Sequence, residues 1–171
     1  MKFKELWIEV EKLSFEEKSE LDKLLTVRPR TIVLGIVKNS EGHILAFPGY
    51  DKKNGVKFYR PLGGGINYGE TSEIAMKREF QEEIGEEVTN LRLLGVMENI
   101  FTFKEKVGHE IVFGYECEFV NKGLYSKESI QVIALGGYGE LVWVNIEKEI
   151  ENGAKIYPKP LYDLYSKDLK K

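Results

Sequence analysis

Hydrophobic positions along the chain change period more than once. Phe3, Leu6, Trp7, Val10 and Leu13 recur at helical spacing, and Phe15, Leu21, Leu24 and Leu25 give a second run its apolar side. Ser14 and Glu17 form a capping box for that second helix, and Pro29 ends it. Residues 1–28 thus read as a helical extension packed on a main domain of residues 29–171, with Trp7 in the packing. A homodimer contact or a substrate lid is the alternative role. From Thr31 to Val37 the apolar run is continuous, which predicts a strand buried on both faces. His43–Phe47 reads as its returning partner, Asp51–Gly55 as a polar loop and Val56–Arg60 as a short strand.

Met76, Phe80 and Ile84 restore the helical stripe, and Thr71 before them and Gly85 after them predict a helix over 72–84. Leu91–Phe103 predicts one long or bulged strand, with a hairpin tip at 104–108. Ile111, Phe113, Tyr115, Cys117 and Phe119 alternate along the next strand. Cys117 therefore reads as a buried small hydrophobe. Residues 121–139 read as a long irregular stretch. Leu141–Val144 predicts a last strand with Trp143 in the core, and 161–169 a closing helix. Helices, strands, helix, strands, helix is an α/β order, a mixed sheet between helical layers.

The densest chemistry lies between Gly63 and Glu86. Gly63, Gly64 and Gly65 let the backbone take positive φ and let a ligand come close. Glu79, Glu82 and Glu83 stand at i, i+3 and i+4 and share one helix face, a row that Glu86 would extend if the helix ran one turn further. Arg78 pairs with Glu82 at i+4. Such a row is often just a solvated face. Its fixed distance from a glycine loop favours a divalent cation holding a phosphate, since carboxylates suit Mg²⁺ or Mn²⁺. Arg60, just before the loop, is a candidate phosphate contact. So are the loop positions Gly64 and Gly65.

These residues resemble the Nudix hydrolase family, MutT-like enzymes whose signature is G-x5-E-x7-R-E-U-x-E-E-x-G-U, with U bulky and aliphatic. Gly64, Glu70, Arg78, Glu79, Glu82, Glu83 and Gly85 follow it. Phe80 and Glu86 depart at two apolar positions, and Val88 is placed to restore the core contact that Glu86 lacks. The resemblance implies the family's α/β/α sandwich and hydrolysis of a nucleoside diphosphate linked to another moiety. It implies that Glu79, Glu82, Glu83 and the Gly63 carbonyl hold Mg²⁺ or Mn²⁺. Arg78 would orient Glu79, and Glu70 would brace the loop. A further carboxylate, Glu128, Glu140 or Glu98, would complete the site, with Glu128 taken as the catalytic candidate beside Glu82, Glu83 and Arg78.

Two other functions share this fold. A nucleotide- or ADP-ribose-sensing module would have lost box carboxylates, and none is lost here. A prenyl diphosphate isomerase needs a poised cysteine. No array like that of the NADH branch follows the box, so a nucleoside triphosphate or related derivative is the default substrate. Tyr59, Tyr68, Phe101 and Tyr138 are candidates to stack on a base. His109 is a candidate to titrate near neutrality and assist.

Composition narrows the partners. With 171 residues, 42% hydrophobic and 31% charged, the chain suits one folded domain. A net charge of −3 disfavours a general nucleic-acid binder. A single cysteine suits a reducing cytoplasm, and no apolar run is long enough to span a membrane. The expected partner is a small nucleotide.

Overall fold

The computed structural model describes residues 14, 16–17, 28–103, 106–134 and 139–168. Most of the expected N-terminal extension, including Trp7, lies outside them, as do Tyr138 and the hairpin tip at 104–105. The capping box is present: the Ser14 amide donates to Glu17 at 2.9 Å, and the Glu17 amide to Ser14 Oγ at 3.2 Å.

Among the described residues eight strands pair into two mixed sheets. They are β1 (Arg30–Val37), β2 (Ile44–Asp51), β3 (Val56–Arg60), β4 (Val88–Phe103), β5 (Lys106–Phe119), β6 (Ser129–Gln131), β7 (Glu140–Val144) and β8 (Lys155–Ile156). One sheet has the order β1-β5-β4, the other β6-β7-β2-β3-β8. β1 runs parallel to β5, β3 parallel to β8, and the other pairs are antiparallel. Among the described residues these helices accompany them: α1 (Ser72–Ile84), α2 (Ile146–Glu151) and α3 (Lys159–Asp168). Among the described residues no helix is long and apolar enough to cross a membrane.

β1 is the divider its sequence predicts. Val33 and Val37 enter one core with Met76 and Phe80 of α1, while Ile32, Leu34 and Ile36 enter another with Leu161 and Tyr165 of α3. Each fully buried side chain of this kind contributes about 1.5–3 kcal/mol. Cys117 and Phe119 lie on the α1 side, as the alternation requires.

Some elements differ from the sequence reading. β4 begins three residues earlier than Leu91 and carries two irregularities, between Thr89 and Arg92 and between Leu93 and Gly95. β2 continues to Asp51, where Tyr50 and Asp51 pair with Lys57 and Val56. The 121–139 stretch holds a 3-10 turn at Lys122–Ser126 and strand β6. α2 is short and polar, started by Asn145 accepting the Lys148 amide at 3.0 Å. Trp143 is half-buried rather than central. Its indole N–H donates to the Lys127 carbonyl at 3.0 Å and its ring stacks on Tyr125, which holds it at the rim of the core.

Candidate active site

The glycine loop is stitched to the free edge of β1. The Val33 and Gly35 amides donate to the Gly64 and Leu62 carbonyls at 2.9 Å each, and the Ile66 amide donates to Thr31 at 3.0 Å. With Leu62 and Gly64 facing β1, the Gly63 carbonyl between them turns away from it. The loop then enters α1 at Thr71, whose hydroxyl accepts the Ile74 amide at 3.3 Å. At the far end Gly85 has φ 71°, the left-handed turn that stops the helix. Glu86 therefore leaves the carboxylate row and meets the Asn121 side-chain amide at 3.3 Å. Val88, buried, supplies the apolar contact that Glu86 does not.

The three glycines serve different ends. Gly63 has φ 141°, and a Cβ there would lie 2.2 Å from the Val33 carbonyl oxygen. At Gly64 a Cβ would lie 2.4–2.6 Å from the carboxylate of Glu79. The room at Gly64 is thus filled by the protein's own acid. Gly65 alone faces open space.

Arg78 binds loop and helix together. Its Nε and Nη2 donate to the two Glu70 oxygens at 2.8 and 3.0 Å, a bidentate fork. Nη2 also donates to the Gly65 carbonyl at 2.7 Å, and Nη1 to Glu79 at 2.8 Å and Glu82 at 3.0 Å. Hydrogen bonding to Glu70, then to Glu79 and Glu82, raises the Arg78 pKa still further above its ordinary value. The same fork, with the Asn67 amide at 2.9 Å, lowers the Glu70 pKa. Glu79 itself is only 8% exposed, the one buried acid of the described core.

Glu83 is the opposite case. Its Oε2 is buried and has no hydrogen-bond partner. Burial pushes its pKa up to about 7, Glu79 and Glu82 push the same way, and Arg60 pulls back. Arg60 thus faces Glu83 from the end of β3. Among the described residues no three His, Cys, Asp or Glu side chains stand together as a ready metal cage. Arg78 accounts for part of this, because it draws Glu79 and Glu82 to itself. The donors still suit a hard cation: an orphaned carboxylate oxygen on Glu83, an exposed Glu82 and the outward Gly63 carbonyl.

The other candidates lie elsewhere. Glu128 is exposed at the foot of β6, and among the described residues no hydrogen bond or ion pair joins it to the α1 acids. Glu140 accepts from Gln131 at 3.3 Å on the β6–β7 pair. Glu98 lies on β4, 3.6 Å from His109 Nε2, and Glu110 beside that histidine accepts from Asn99 at 3.0 Å. Burial pushes the Cys117 thiol up to about 12, which leaves it no role as a poised acid or nucleophile. Tyr59 is buried, with its hydroxyl donating to Glu149 at 2.8 Å, and Phe101 lies over Gly108 on the hairpin. Tyr68, fully exposed on the glycine loop, is the free aromatic next to the site. The seat that Gly64 makes for Glu79 is not visible in the sequence. Only the fixed spacing of the two residues hints at it.

The NUDIX domain model matches residues 28–160. A nucleoside triphosphatase NudI from Enterobacter sp. (strain 638) is 30% identical over 115 residues, 63% of this chain and 82% of that protein. A NUDIX hydrolase from Nitrosomonas europaea aligns with TM-score 0.56 at 14% identity, covering 81% of this chain and 87% of that one. A MutT NUDIX hydrolase from Burkholderia pseudomallei aligns with TM-score 0.52 at 21% identity, covering 70% and 85%. The structural likenesses speak for the fold, and the domain match covers the glycine loop, α1 and both sheets. On that match, and on a signature whose charged positions all converge on one loop and one helix, the chain belongs to the Nudix hydrolase family.

Proposed function

We propose that this hydrolase cleaves a pyrophosphate bond in a nucleoside diphosphate linked to another moiety, with a nucleoside triphosphate as the leading substrate, using Mg²⁺ or Mn²⁺. The observation that carries the reading is the buried, unpartnered Glu83 oxygen beside Glu82 and Arg60. A desolvated carboxylate with no partner is costly, and a cation relieves that cost. Glu79, Glu82, Glu83 and the Gly63 carbonyl would hold it. When bound, the cation supplies Lewis acidity toward a phosphoryl oxygen and lowers the pKa of the attacking water.

The chain's own residues do the positioning. Arg78 fixes Glu79 and keeps the loop at a set distance from the helix, so the diphosphate meets preformed geometry. Arg60 offsets phosphate charge opposite the acids. Glu83 in its ionised form is placed to take the water's proton, and Glu128 is the outlying alternative for that step. The Enterobacter relative's description as a triphosphatase supports the substrate class. The net charge of −3 supports a free nucleotide over a nucleic acid.

A panel of nucleoside triphosphates and nucleotide-sugar diphosphates, assayed with Mg²⁺ and with Mn²⁺, tests this. Glu83→Gln should lower the rate by roughly 10²–10⁴-fold. Full activity in that variant, or tight binding without turnover in the parent, overturns the reading.

A further inference from the structure

Glu79 and Glu83 are held by different means. The Glu79 carboxylate has the Arg78 donor and the room that Gly64 leaves. The Oε2 of Glu83 has no hydrogen-bond partner, so what fixes this acid acts largely through its main chain. The helix cannot do this alone. The last four carbonyls of a helix have no partner within it, and Gly85, at φ 71°, turns the chain away after Ile84. Gly85 donates back to the Gln81 carbonyl at 3.0 Å. The Glu83 carbonyl is met from outside the helix, by the Ile133 amide just beyond β6, at 2.7 Å. Among the described residues every other main-chain bond outside the helices and strands is 2.9 Å or longer. The donor is anchored in turn. Val132 is buried, and its amide donates to the Gly139 carbonyl at 3.0 Å. Ile130 pairs with Leu141. Ile130, Val132 and Leu141 share a core with Ile84 and Phe80 of α1. The Ile133 side chain lies against Gly85, where a Cβ would be 3.4 Å from Ile133 Cδ1. The 121–139 stretch, read from sequence as the source of a further acid, thus reaches α1 with a main-chain donor.

We propose that Ile133 is a positioning residue for Glu83, acting through its amide, so that the end of β6 and not the helix alone sets where this acid stands. The proposal rests on the reading of Glu83 as a working acid. A helix end frays within its last turn, and Glu83 lies in that turn of α1. Drift of the main chain carries the carboxylate with it, and a misplacement of about 1 Å can cost about 10²-fold in rate. A bond anchored in the core stops that drift without occupying the carboxylate. Oε2 stays free for a ligand, which a side-chain donor such as Arg78 would not allow. A second tether lies nearby. The Val120 amide donates to the Glu87 carbonyl at 3.0 Å, but it holds the chain beyond the helix, at a residue outside the acid row.

The test removes the donor and keeps the side chain. In the full chain the α-hydroxy analogue of isoleucine is placed at position 133, which turns that amide into an ester. The matching ester at position 120 removes the bond to Glu87 and is the control. With Mg²⁺ and the parent's substrate, the 133 ester should lower kcat about tenfold with KM within about twofold, while the 120 ester should leave kcat within about twofold. Equal kcat losses in the two esters, or parent-like kcat in the 133 ester, overturn the proposal. Glu83→Gln, measured beside them, separates the two readings. A fully active Glu83→Gln sinks the role of the acid and the positioning with it. An impaired Glu83→Gln beside a parent-like 133 ester sinks the positioning alone. A further measurement needs neither a variant nor a metal. Ile133 is 56% exposed, yet in the metal-free parent its amide should be as protected from deuterium exchange as the amides of the last turn of α1, because one opening frees both. Free exchange at Ile133 overturns the proposal.

Discussion

Two carboxylates one turn apart on α1 are handled in opposite ways. Near the loop, Glu79 is buried but seated: Gly64 leaves it room and Arg78 donates to it. One turn later Glu83 is half-buried and unseated, with a buried Oε2 that has no hydrogen-bond partner. The same residue type on the same helix thus takes two roles. The first acid is held in place by the protein itself, through Gly64 and Arg78. The second is held at an energetic cost that a proton or a cation can relieve, and such unrelieved cost is where function is expected to lie.

The comparison breaks most sharply at Gly64. Gly64→Ala should expel the Glu79 carboxylate and displace the row by about an ångström, costing about 10²-fold in kcat/KM. Steady-state kinetics with the parent's substrate would show it, and near-parent activity would mean that Glu79 needs no such seat. Arg78→Lys comes next. Lysine cannot reproduce the fork that joins Glu70, Gly65, Glu79 and Glu82. Leaving Glu79 without its donor should destabilise the fold by about 1–3 kcal/mol, measurable by urea unfolding.

Glu83 sharpens the other half through pH. Its folded pKa, about 7, lies above the ordinary glutamate value of 4.5. The folded state therefore binds the extra proton more readily than the unfolded one, and the unbound protein should lose stability as pH rises from about 4.5 through 7. Mg²⁺ needs the ionised form, so its stabilising effect should grow over the same window. Thermal melts at pH 5.5 and 8, with and without Mg²⁺, would show the larger shift at pH 8. In Glu83→Gln that difference should vanish. The smallest effect is expected at Thr71→Ala, which removes one cap: about 1 kcal/mol of stability, with kcat unchanged.

Much of this was legible in the residues. α1 runs over the predicted range because its stops are chemical: a threonine hydroxyl at one end and a left-handed glycine at the other. β1 was legible because an unbroken apolar run has few other homes. α2, β6 and β8 were not, since elements of two to six residues owe their form to neighbours rather than to their own pattern. Trp143 was misplaced because hydrophobicity alone ignores the indole N–H, which needs a carbonyl and finds it at Lys127. Within the site, the charged positions were readable as a motif. Which acid is seated and which is left wanting depends on the Gly64–Glu79 contact, which no spacing reveals.

The main-chain stitching of Leu62–Ile66 to β1 has a consequence for motion. This segment is in effect a further, very short strand. Its amides should exchange with deuterium only when the central sheet itself comes apart. The glycine loop should then stay as still as the core.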